Sequence, residues 1–222
     1  MDLNKKNKDL LLGIILGDGS IYKVNNSYEI YIGHGKSQKD YLEWKVKLLN
    51  NSNVFEKPLQ IKSKLIFLEQ YDKQYLQYYA KKINKSLEEI YDIYFSENKR
   101  LKQILHNIHS DRSVAIWFMD DGSVFKKKKK HKDGSIYYLK PTLKLCTHCF
   151  SKDENLDIID WFKKRYLIDA KLVSETKHNK KYYYVRFNSK ESLKLFSLMK
   201  QYIDLIPSMK EKFSFFYEYY QL

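Results

Sequence analysis

Leu11-Leu12-Gly13-Ile14-Ile15-Leu16-Gly17-Asp18-Gly19 is apolar up to a terminal Asp-Gly. Val114-Ala115-Ile116-Trp117-Phe118-Met119-Asp120-Asp121-Gly122 repeats that form 103 residues later, counted from Asp18 to Asp121. As a helix, each stretch is apolar nearly all round, which requires burial. Gly13 and Gly17 stand four apart and so share one helix face. An interior helical glycine costs about 0.5–1 kcal/mol relative to alanine. Close backbone approach to a second helix offsets that cost, and the second stretch, with its small Ala115, is the natural partner. Gly19 is suited to a left-handed cap that stops the first helix.

Outward from these stretches the chain reads as one unit written twice. Ser37-Gln38-Lys39-Asp40-Tyr41-Leu42 is echoed 114 residues on by Ser151-Lys152-Asp153-Glu154-Asn155-Leu156. Tyr75-Leu76, assigned to a helix, matches Ser192-Leu193 after 117 residues. A nearly constant offset means internal duplication, with halves at 1–100 and 101–222. Each half reads helix, hairpin, helix, hairpin, helix, an α+β arrangement. In the first half the motif helix precedes a hairpin turning at Asn25-Asn26. A helix over Lys39–Asn51 capped by Ser37 follows, then a hairpin of 58–62 and 65–69 and a helix opening at Asp72. In the second half, strands near 123–127 and 142–147 precede a helix over 151–166. Strands near 171–175 and 183–188 come next, then a helix from Ser189. Residues 86–109 bridge the halves as helix. The longer first interval of the second half holds about 11 extra residues. They include the basic run 126–130 and His131, Lys132, Asp133 and Gly134, expected as the tip of a long hairpin.

The chain carries 41 Lys+Arg against 27 Asp+Glu, a formal charge of +14, which favours a polyanionic partner. An aromatic content of 16%, with 20 Tyr, excludes a disordered basic tail. The cysteines lie in one Cys146-Thr147-His148-Cys149 cluster with no second cysteine pair, which argues against structural zinc and against a disulfide framework. No stretch is long and apolar enough to span a bilayer, and the N-terminus has no signal-peptide core. The expectation is an intracellular protein that is not secreted and has no membrane partner.

Packing the motif helices together brings Asp18 and Asp121 together at their C-terminal ends. A carboxylate there faces the negative end of the helix dipole, and two of them repel each other. Hard divalent cations relieve both penalties, because Mg²⁺ binds through one or two carboxylates, water and phosphate oxygens. One Asp-Gly at a helix end is most often a polar cap. Two duplicated copies on buried helices point instead to phosphodiester hydrolysis.

Both stretches resemble the motif of the LAGLIDADG homing endonucleases, and the strand-rich repeats resemble the single-chain, two-motif branch of that family over residues 10–213. The resemblance implies two pseudo-symmetric αββαββα units, with the motif helices at their interface and antiparallel sheets forming a saddle on DNA. It also implies a divalent-metal-dependent double-strand cut in a long asymmetric site by a monomer, with Mg²⁺ as cofactor and Mn²⁺ or Ca²⁺ able to substitute in binding. The family's metal-binding acid is the eighth motif residue, which is Asp18 and Asp121 here. Gly17 and Asp120, at the seventh position, complete the candidate metal set, although Asp120 is read first as a capping or packing residue, with metal ligation as its alternative. Leu16 and Met119 depart from the consensus, where an acid often stands. The family also uses one basic residue from each half. Ile206-Pro207-Ser208-Met209-Lys210-Glu211-Lys212-Phe213 places Lys212 there in the second half. Asn98-Lys99-Arg100-Leu101 places Lys99 in the first, with Arg100 as its rival because the expected proline is absent. An organellar (mitochondrial) or a bacterial or phage setting fits such a protein. An RNA-binding intron maturase of the same family, with intron RNA as partner, is the alternative reading. A repressor without cleavage is a more distant one.

Alternation along strands predicts which side chains face the major groove. Ile30 and Ile32 point inward, leaving Glu29 and Tyr31 outward. Leu143 and Leu145 leave Thr142, Lys144 and Cys146, and Val185 and Phe187 leave Tyr184 and Arg186. Parity from the acids selects Ser20 and Tyr22, and Ser123, Phe125 and Lys127. Lys128 joins the phosphate-contacting run.

Overall fold

The two apolar stretches are helices packed against each other in a computed structural model that describes residues 3–69, 72–95 and 100–222. α1 (Lys5–Leu16) is buried from Asp9 to Leu16, and α5 (Asp111–Asp121) from Ser113 to Met119. A Cβ on Gly13 would lie 2.7 Å from the Cβ of Ser113. The small residue that accepts the close approach is therefore Ser113 and not Ala115. Both helices begin with side-chain caps, Asn4 receiving the Asn7 N–H and Ser110 the Ser113 N–H.

The duplication is plain in the sheets. After α1 come β1 (Gly19–Val24), β2 (Ser27–Gly35), α2 (Lys39–Asn51), β3 (Ile61–Leu68) and β4 (Lys73–Ile83). α3 (Glu88–Phe95) and α4 (Arg100–Asn107) lead to α5. The second half continues with β5 (Gly122–Phe125), β6 (Lys128–Lys130), β7 (Ile136–Tyr138), β8 (Thr142–Leu145), α6 (Lys152–Tyr166), β9 (Ala170–Lys177) and β10 (Lys180–Phe187). α7 (Ser189–Ile203), α8 (Pro207–Lys212) and α9 (Ser214–Tyr220) close the chain. One sheet has the order β1-β2-β4-β3 and the other β5-β8-β10-β9, the same first-second-fourth-third arrangement. Their pairings are antiparallel. The apolar faces pack on helices around Ile30, Ile32 and Ala80 in one half and Leu143, Val185 and Phe187 in the other, all fully buried.

Four local expectations fail for physical reasons. Asp72 does not open a helix: it takes φ 47° in the turn before β4, and Tyr75-Leu76 lies on a strand. Gln74-Tyr75-Leu76-Gln77-Tyr78-Tyr79-Ala80 is tyrosine-rich and pairs with seven of the eight residues of β3, which suits a pleated surface. The third landmark of the repeat, Tyr75-Leu76 with Ser192-Leu193, therefore does not hold. Ser37 does not cap α2; it lies in a short 3₁₀ turn, and Gln38 precedes the helix without a side-chain cap. The equivalent Ser151 does cap α6, in a full capping box with Glu154. Gly19 is not left-handed but starts β1, where a Cβ would lie 2.6 Å from the carbonyl oxygen of Ile14. Residues 58–62 and 65–69 do not pair as a hairpin; Ile61–Leu68 is the single strand β3, whose partner is β4. The basic run lies, as expected, toward the tip of a long hairpin. The β5–β8 arms continue into β6–β7 with a one-residue change of register, the Lys127 carbonyl accepts the Leu139 N–H at 2.9 Å, and the turn is closed by Asp133 accepting from Ser135. The Asn25-Asn26 turn forms as expected, with Asn25 at φ 52°.

Candidate active site

Asp18 follows Gly17, the C-cap of α1, and Asp121 is the last residue of α5. The packing of α1 on α5 places them in one electrostatic environment. Burial, then the neighbouring Asp120, push the Asp18 carboxyl up. Burial, then Asp120 and Asp18, push Asp121 up to about 7 from an ordinary 3.8. The Asp18 side chain keeps 48% of its surface exposed, so its carboxylate is accessible to a ligand.

Asp120 is different. Its side chain has no exposed surface, and both oxygens face the equally buried Lys45 ammonium at 2.7 and 2.8 Å. One of these oxygens, Oδ2, also accepts the Asp18 backbone N–H at 3.0 Å. Gly17 makes room for this carboxylate, since a Cβ there would lie 2.1 Å from Oδ2. The seventh motif residues of the two halves are thus one carboxylate and the gap that admits it.

Lys45 comes from α2, whose buried face is Tyr41, Leu42, Lys45, Val46 and Leu49. The Tyr41 hydroxyl donates to the Ile116 carbonyl at 3.1 Å, seating α2 on α5. His34, on the inward face of β2, is 4% exposed. Its Nε2 is 3.1 Å from Lys45 Nζ, and its Nδ1 is 3.3 Å from Gln38 Oε1 and 3.7 Å from Asp18 Oδ2. Burial, then the Lys45 charge, hold its pKa down to about 4, so the imidazole is neutral. Asp18, His34 and Asp120 present ligand atoms within 4.8 Å of one another. With Asp120 committed to Lys45 and the Asp18 amide, the exposed oxygens of this group belong to Asp18.

Lys212, from α8, donates to the Met119 and Asp120 carbonyls at 2.5 and 2.9 Å, countering the negative end of α5. Burial lowers its pKa. Lys99 lies outside the described residues, and nothing is described of the Arg100 side chain. Lys45, His34 and Tyr41 escaped the sequence reading. Lys45 had a signal, a lysine in the middle of the apolar face of a helix.

The outward sheet face is partly as expected. Tyr22 is 52% exposed, and Ser20, Glu29, Tyr31, Ser123, Phe125, Lys144, Cys146 and Arg186 are half-buried. Thr142 and Tyr184 are buried, against expectation. The Arg186 guanidinium lies 3.9 Å from the Phe125 ring centroid and donates to Thr142 Oγ1, and Tyr184 packs between His148 and Lys144. Lys127 and Lys128 are exposed, Lys127 outside any strand. The misread β4 adds further outward groups: Tyr31 stacks on Tyr79 and donates to Gln77 at 2.7 Å, while Lys64 stands over both rings.

Among the described residues no helix is long and apolar enough to cross a membrane. A probable intron-encoded endonuclease 1 of Wickerhamomyces canadensis is 27% identical over 221 residues, covering 96% of this chain and 86% of the relative. The homing endonuclease I-WcaI bound to its DNA recognition sequence superposes with a TM-score of 0.70 at 24% identity, over 96% of this chain and 87% of that one. A K262A mutant of I-SmaMI matches at 0.53 and 12% identity, over 91% and 88%. The model of the LAGLIDADG DNA endonuclease family matches residues 8–196, and the chain belongs to that family.

Proposed function

We propose that the protein is a homing endonuclease which, as a single chain, makes a divalent-metal-dependent double-strand cut in a long, asymmetric DNA site. The observation that carries this reading is the pair of helix-terminal acids. Asp18 and Asp121 stand at the C-termini of the two packed motif helices, and burial together with neighbouring carboxylates raises both pKa values. Such crowded anionic groups fit a hard cation, and the acids are the residues that would hold it. A bound Mg²⁺ supplies neutralisation of the scissile phosphate and a more acidic water. Asp120 takes a packing role, because Lys45 and the Asp18 N–H use both its oxygens.

Lys212 holds the end of α5 and adds positive charge beside the acids, from where it can also face a phosphate. The halves 1–100 and 101–222 each bring one sheet to the DNA. Tyr22, Tyr31, Lys144 and Arg186 face the bases, and the exposed ribbon lysines follow the phosphates. Because both motifs are in one chain, a monomer suffices and the site need not be palindromic. An intron-encoded relative supports an organellar setting. The test is a supercoiled plasmid carrying the uninterrupted version of the gene's insertion site. Linear product in Mg²⁺ and none in chelator is expected. Binding without any cut in Mg²⁺ or Mn²⁺ would reject the reading.

A further inference from the structure

The two motif ends are not built alike, and the difference lies in Lys45. An ammonium can only donate. It donates to both Asp120 oxygens and, 3.1 Å away, to His34 Nε2. A neutral imidazole whose Nε2 accepts carries its proton on Nδ1. That Nδ1–H faces the Gln38 amide oxygen at 3.3 Å and the Asp18 carboxylate at 3.7 Å. Asp18 is therefore addressed twice from one root: its backbone N–H is held by Asp120, and its carboxylate is faced by an imidazole donor whose tautomer Lys45 fixes.

The second half has no such device. The strand registers, Gly19 opposite Ile32 and Gly122 opposite Leu145, put Thr147 where His34 stands, and the same 113-residue offset puts Ile158 where Lys45 stands. Thr147 is buried and donates to Asn155 Oδ1, and Ile158 is a buried apolar side chain, so neither presents a donor to Asp121. The seventh motif residue that would serve Asp121 as Asp120 serves Asp18 is Gly17, which has no side chain.

We propose that Lys45 and His34 are positioning residues of the Asp18 centre alone, so that they govern the cut of one DNA strand and not the other. The inference rests on the proposed double-strand activity. It is tested with Lys45→Met and His34→Phe on duplex DNA labelled on both strands and on supercoiled target plasmid. Both variants should bind the target as wild type does. Both should accumulate nicked circles, with the same strand left uncut and its cleavage slowed about a hundredfold, the scale of a misplaced catalytic group. Parallel slowing of both strands would mark a merely structural role, and uncut strands that differ between the variants would break the common device. Either result overturns the inference, as does unchanged cleavage. Should Lys45→Met not fold, His34→Phe leaves the Lys45–Asp120 pair intact and gives the same readout. A wild-type protein that cuts neither strand would instead remove the function on which the inference stands.

Discussion

One helix interface carries acids at both ends, and the ends are treated in opposite ways. At the start of α5, Asp9 of α1 is 4% exposed and accepts four hydrogen bonds. They come from the His109 and Ser110 N–H groups and the Ser110 and Ser113 hydroxyls, at 2.6, 3.2, 2.5 and 2.9 Å. The positive end of the helix dipole adds to that satisfaction. At the other end, burial and then the Asp120 charge raise the pKa values of Asp18 and Asp121, and Asp18 adds to the rise at Asp121. The same residue type thus serves stability where the backbone offers donors and stores an electrostatic penalty where it does not. A site that holds cations and phosphates needs the second kind of end.

The largest expected effect sharpens that contrast. Asp18→Asn or Asp121→Asn should reduce cleavage at least a thousandfold, on the order of 4 kcal/mol in the barrier, while the protein still folds and binds its target. Cleavage of both strands at near wild-type rate in either variant would remove that acid from the site. Asp9→Ala should do the reverse. It leaves two part-buried N–H groups and two hydroxyls without their acceptor, a loss of about 3 kcal/mol in chemical denaturation, with no direct role in cutting. A loss below about 1 kcal/mol would show that the two ends are energetically alike.

The motif helices, the duplication and the acids at their ends were legible in the sequence because apolar periodicity and a repeated Asp-Gly are local signals. Asp9 and Lys45 were not, because their roles depend on partners 100 and 75 residues away. Nothing near Asp9 in sequence announces that Ser110 and Ser113 will surround it. The tyrosine-rich stretch after Asp72 reads as helix from its offset alone, while its pairing with β3 depends on residues 61–68, so the outward cluster of Gln77, Tyr79 and Lys64 is not legible locally. Ser37 and Ser151 make the same point about caps. The capping box needs a glutamate three residues later, which Ser151 has in Glu154 and Ser37 lacks, with Asp40 instead.

The pH dependence separates the ends further. Asp121 has a folded-state pKa near 7 against an ordinary 3.8, so the folded protein holds this proton more tightly than the unfolded chain. The carboxyl costs nothing below about pH 4 and destabilises increasingly as pH rises toward 7. In metal-free buffer, Asp121→Asn should therefore be more stable than wild type at pH 8 by about 1–2 kcal/mol, after allowance for solvent screening. The gain should vanish near pH 4. A gain that grew on acidification would have the wrong sign for this cause.

The smallest effect probes whether Asp9 and its donors act as one unit. Ser110 is both the N-cap of α5, accepting from the Ser113 N–H, and a hydroxyl donor to Asp9. Ser110→Ala removes the cap and one of the four bonds but leaves Asp9 with the His109 and Ser110 N–H groups and the Ser113 hydroxyl. The expected loss is about 1 kcal/mol, well below that of Asp9→Ala. Because the two side chains share a bond, the double variant should lose less than the two single losses together. Strict additivity in the denaturation free energies would mean that Asp9 holds the end of α5 without help from the serine. The cluster would then be a set of separate contacts, unlike the mutually coupled acids at the opposite end.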